Sequence, residues 1–176
     1  MRRLALALLP PLGLIALAAA QAPTPSAVPV LAAPAAVSLV IPLNAETLRG
    51  VPVVTATFVR DLLYKRDVRV QARRLDDVLG RNVPELERLA AAGYTVTFRC
   101  LDGYAPKARL ADLLGQGGLL AFADAEAGET RWHPVTYRDK ALNAESIGQY
   151  LNWPRETAAR KPVPWGVVAL ELAPGR

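Results

Sequence analysis

The sequence predicts an α+β domain: one mixed β-sheet with short helices, preceded by an export signal and a soft linker. Three observations carry that reading. Tyr94, Val96, Phe98 and Cys100 alternate with Thr95, Thr97 and Arg99, the period of a half-buried strand. Two short helical patterns, Leu75–Gly80 and Leu110–Gly115, lie between strand-like runs with no long crossover helices, which favours α+β over α/β. Finally, the longest apolar run, Leu4–Leu17, stands at the start of the chain behind Arg2 and Arg3.

Taken in order, residues 1–20 read as a signal peptide, with Ala18-Ala19-Ala20 as a cleavage site. Pro10-Pro11 breaks the apolar run and leaves it marginal for a membrane span, so no stable membrane insertion is expected after cleavage. Residues 21–37 are almost wholly Ala, Pro, Val, Ser and Thr, a linker with nothing to pack. Residues 38–176 are then of single-domain size.

Within that domain, Val37–Ile41 suggests an opening strand. Thr55 is expected to cap a helix carrying Phe58, Val59, Leu62 and Leu63 on one face. Asp67–Gln71 alternates as a strand, Leu75, Val78 and Leu79 fit a helix ended by Gly80, and Asn82-Val83-Pro84 opens another that Gly93 stops. After the Tyr94–Cys100 strand, Asp102-Gly103 turns the chain. Leu119–Phe122 follows as a compact apolar strand, then an acidic surface loop from Asp124 to Thr130. Trp132–Tyr137 suggests a strand, Gln149–Trp153 is ambiguous, and Trp165–Leu172 closes the sheet.

Composition removes many chemistries. A single Cys in an exported chain allows no internal disulfide, no C-x-x-C-H haem attachment and no Cys-paired zinc site. One His excludes any two-imidazole constellation. No P-loop, G-x-G-x-x-G or G-x-S-x-G motif occurs. The net charge of +5 falls to +3 once Arg2 and Arg3 are gone, and with no basic–aromatic interleaving nucleic acid is not an expected partner.

The candidate residues are few. Cys100 is the one reactive thiol, although strand parity puts it on the core face, where a thiol is inert. Asp102, Gly103 and Tyr104 form a turn that could also edge a ligand cleft. His133, between Trp132 and Pro134, titrates near neutrality. Trp132, Trp153 and Trp165 are core residues by default, and could with His133 line a docking surface. Arg60, Lys65, Arg66, Arg69, Arg73, Arg74 and Arg81, against Asp61, Asp67, Asp76 and Asp77, read as a solvated, partly paired basic face.

The run Thr97–Tyr104, followed by Ala108–Leu114 and Leu119–Phe122, resembles the second half of the sulfite-oxidase-like molybdopterin oxidoreductase domain, with its DGY turn between strand and helix. Arg74–Leu79 is similar to that family's preceding helix, and Trp132, Trp153-Pro154 and Pro164–Leu172 look like a small exported subgroup. The resemblance implies a pterin cleft near Cys100, Asp102, Gly103 and Tyr104, and a partner among periplasmic redox proteins such as a c-type cytochrome. The family's molybdenum thiolate precedes the Arg74–Leu79 helix, and no Cys lies there. The expectation is therefore a periplasmic or secreted accessory domain with no metal or cofactor of its own. The alternative is a divergent molybdopterin enzyme using Cys100.

Overall fold

A computed structural model describes residues 38–61, 64–126, 131–137, 140–143 and 148–175, with 131–137 and 140–143 described by backbone alone. The expected signal, linker, Leu62, Leu63 and loop residues 127–130 lie outside the described residues. The described residues all fall in one compact unit.

Ten strands and two short helices are present among the described residues, and every strand pairing is antiparallel. The expected α+β composition holds; the sheet divides in two. Sheet A runs β1 (Leu39–Pro42), β10 (Val167–Pro174), β4 (Tyr94–Cys100) and β5 (Lys107–Arg109). Sheet B runs β2 (Val54–Phe58), β3 (Val68–Arg74), β6 (Leu119–Asp124) and β9 (Tyr150–Asn152). A hairpin of β7 (Arg131–Tyr137) and β8 (Lys140–Asn143) stands apart. A single bridge, Gln149 to Val167, ties the lead-in to β9 onto β10 and so links the two sheets.

The alternation of β4 works as the sequence suggests. Tyr94, Val96, Phe98 and Cys100 face a core shared with Ile41 of β1, Leu170 and Leu172 of β10, and Leu120 and Leu151 of sheet B. Helix α1 (Leu75–Asn82) covers that core with Leu75, Val78 and Leu79, all fully buried. Gly80 does not end α1, contrary to the expectation from sequence: it continues the helix, and the chain leaves only at Val83. Helix α2 (Leu86–Ala91) begins after a left-handed Glu85 and ends before Gly93, near the expected bounds. The 3₁₀ turn Leu110–Asp112 buries Leu110, with Leu113 close behind it. A second apolar cluster occupies the opposite face of sheet B: Phe58, Val68, Val70, Ala72, Ala121 and Tyr150.

The helix expected from Thr55 is strand β2 instead. Val54, Thr55, Ala56, Thr57 and Phe58 pair in register with Ala72 through Val68 of β3. Two Thr and one Val in five residues favour a pleated surface, and the ladder to β3 outweighs the helical spacing of Phe58 and Val59. Asp124, expected in a surface loop, ends β6 instead, paired with Val70 and 1% exposed.

Candidate functional site

The Asp102-Gly103-Tyr104 segment is the loop of the β4–β5 hairpin. Asp102 Oδ1 accepts from the Tyr104 amide at 3.0 Å. The Tyr104 carbonyl accepts from the Cys100 amide at 3.0 Å, and Gly103, at φ +86°, takes a conformation that a Cβ resists. The turn is therefore self-sufficient, with Asp102 committed to its own backbone. It also carries Leu101 and Tyr104 into solvent, at 55% and 58% exposure.

Cys100 points the other way. Its Sγ is buried and lies 3.7 Å from the Phe98 carbonyl, to which the thiol donates. Burial, and then the neighbouring Asp102 charge, push the thiol up to about 11. Such a sulfur stays protonated at neutral pH and is neither a nucleophile nor a ready metal ligand. The family resemblance grouped Cys100 with Asp102, Gly103 and Tyr104 at a cleft, whereas strand parity turned it to the core; the thiol is inward and the turn outward.

The tryptophans part in the same way. Trp153, a core residue by default in the sequence with a docking surface as the alternative, is a core residue at 5% exposure, with Nε1 donating to the Pro162 carbonyl at 2.7 Å. Gly118 makes room for it: a Cβ there would stand 2.6 Å from the indole ring. Trp165 is half-buried and packs on Tyr150 and Tyr64, with ring centroids 4.8 and 6.2 Å away. The side chains of Trp132 and His133 lie outside the described residues.

A cluster that sequence reasoning missed lies beyond the end of β2. Asp61, expected on a solvated face, is 3% exposed. Its Oδ2 accepts from the Tyr150 hydroxyl at 2.7 Å and from Asn152 Nδ2 at 3.0 Å, while Oδ1 accepts from the Tyr64 amide at 3.0 Å. Two backbone bonds, Lys65 amide to Asp61 carbonyl and Asp61 amide to Arg66 carbonyl, close the loop around it. Burial first, then the hydrogen bond to Asp61, pushes the Tyr150 phenol well above its ordinary value; Tyr64 is raised by burial and then by Asp124 and Asp61. Arg66 partly offsets this, reaching Asp124 at 3.8 Å and Glu126 at 3.9 Å while lying over the Tyr64 ring. Phenols held this firmly protonated do not abstract protons, and that of Tyr150 serves as a hydrogen-bond donor. The cluster is a clasp joining the 61–66 loop to β9. A carboxyl flanked by Arg60, Lys65 and Arg66 gives no outward sign of burial in a sequence, whereas Tyr150 and Asn152 at i and i+2 on one strand do mark a shared face.

Other members of the supposed basic face also have defined places. Arg73 lies over the Phe122 ring at 4.5 Å, and Asp76 Oδ2 accepts from the Gly115 amide at 3.2 Å. Among the described residues, no group of three or more His, Cys, Asp or Glu is arranged to hold a metal, and no helix is long and apolar enough to cross a membrane. Comparison with models of known families, with curated proteins and with solved structures found no match.

Proposed function

We propose that residues 38–176 form an exported accessory or binding domain of a periplasmic redox system, related to the sulfite-oxidase-like molybdopterin fold and without a catalytic metal of its own. The observation that carries this reading is the opposed placement of neighbours on one hairpin. Cys100, the sole thiol of the chain, is spent in the core. Leu101 and Tyr104, one and four residues later, are exposed apolar and aromatic groups on a rigid turn. That is the arrangement of a contact surface, where aromatics supply much of the binding energy.

The residues present do not fit a thiolate-ligated molybdenum. The sulfur that would have to serve is buried, bonded to a backbone carbonyl and pushed up to about 11. A c-type cytochrome is the partner class that the sequence resemblance favours.

Two measurements test the reading. Protein purified from a host that makes molybdopterin should contain neither stoichiometric molybdenum nor releasable pterin; finding both would make it an enzyme and overturn the proposal. Calorimetric titration against a periplasmic c-type cytochrome should show binding that Tyr104→Ala weakens about tenfold, ~1.4 kcal/mol, and that Cys100→Ser leaves unchanged.

A further inference from the structure

Among the described residues, strand β2 is a sheet edge, bonded to β3 on one side only. Natural proteins blunt exposed edges with charge, Pro, bulges or brevity. The other edges of sheets A and B show these devices: β1 ends in Pro42, β5 is three residues long with Lys107 and Arg109 at its ends, and β9 is three residues long. The run Val53–Val59 has none of them. It carries no charge, no Pro and no bulge against β3, and its terminal residues Val53 and Val59 are 51% and 63% exposed.

That run is also nearly a palindrome: Val53-Val54-Thr55-Ala56-Thr57-Phe58-Val59. Laid antiparallel on itself about Ala56, it sets Val53 opposite Val59, Val54 opposite Phe58, and Thr55 opposite Thr57. Burial alternates to match, with Val53, Thr55, Thr57 and Val59 exposed and Val54, Ala56 and Phe58 turned inward. Each half-buried or buried residue therefore meets an inward one, and each exposed β-branched residue meets another. No like charges oppose. Cross-strand pairs of this kind stabilise a ladder, and a two-fold axis through such a pairing makes a closed dimer rather than a fibre.

We propose that β2 is the dimerisation edge of this protein. Its occupant is β2 of a second copy, joining two sheets B into one eight-stranded antiparallel sheet. Arg60, in a left-handed conformation, ends the run on one side and Pro52 ends it on the other, which fixes the register.

The test is sedimentation of the full chain across about 1–100 µM, the range in which a micromolar Kd is read. Wild type should shift from monomer to dimer. Thr55→Glu/Thr57→Glu sets like charges opposite each other across the axis, and should raise Kd at least about tenfold. Thr55→Lys/Thr57→Glu sets opposite charges there and should keep the dimer. Both variants share the Thr57→Glu change, which places a carboxylate beside Arg69 of the same chain, so their folds are matched. A wild-type chain that stays monomeric, or assembles only with another protein, overturns the proposal. So does a pair of variants that behave alike.

Discussion

Replacing Tyr150 by Phe removes one hydroxyl and leaves everything else about the ring in place. The edge-to-face contact with Phe58, at 5.6 Å and 86°, persists, as does the packing on Trp165. What disappears is the 2.7 Å donation to Asp61, a carboxyl that is 3% exposed, together with a longer bond that the hydroxyl accepts from Asn152 Nδ2 at 3.3 Å. A buried bond of this type contributes about 1–3 kcal/mol, and Asp61 keeps Asn152 and the Tyr64 amide, so about 2 kcal/mol is expected. Removing the carboxyl itself, Asp61→Ala, strips these three bonds together and takes from the Tyr150 hydroxyl its acceptor, at a cost of ~3–5 kcal/mol. With a urea m-value of about 2 kcal/mol/M, Tyr150→Phe should lower the midpoint by ~1 M at unchanged slope. The double variant should lose less than the sum, because both changes delete the same bond. A Tyr150→Phe shift below about 0.2 M, or full additivity in the cycle, would refute the clasp.

The phenols of Tyr64 and Tyr150 have raised folded-state values, so their contribution is fully present below the ordinary value of 10.0 and is lost as pH climbs above it; stability by urea titration should fall from about pH 10 upward, less steeply in Tyr150→Phe. Cys100, pushed from 9.0 up to about 11, obeys the same sign. A disulfide reagent at neutral pH should label Cys100 only at the rate of unfolding, and rapid labelling of the native protein would contradict its burial. Gly118→Ala places a methyl 2.6 Å from the Trp153 ring and should cost ~1–3 kcal/mol, with altered indole fluorescence as the witness.

How much of this was legible beforehand depends on what each segment's neighbours do. The strand Tyr94–Cys100 and the helix at Leu75–Leu79 announce themselves because each buries one face, and burial of one face is what periodicity records. Val54–Phe58 misled because Phe58 and Val59 with Leu62 and Leu63 also suit a helix; its Val and two Thr lean toward a strand, and the ladder to β3 decides between the two. Division into two sheets is likewise invisible, since alternation fixes a face and never a neighbour. At the site, parity correctly turned Cys100 inward and chemistry correctly made Asp102-Gly103 a turn. Asp61 escaped because a carboxyl among cations looks the same whether it is solvated or held by a tyrosine far away in sequence.

Strand β10 is made after every other strand, yet it lies between β1 and β4, with Leu39 paired to Leu172 and Phe98 to Leu170. Neither neighbour has another strand to hold it on that side until β10 arrives. A nascent chain halted before Val167 therefore has an opening strand with no ladder and a central strand with half of one. Sheet B has all four of its strands by Asn152, so it is sheet A, and the core that sheet A closes, whose assembly waits on the final segment.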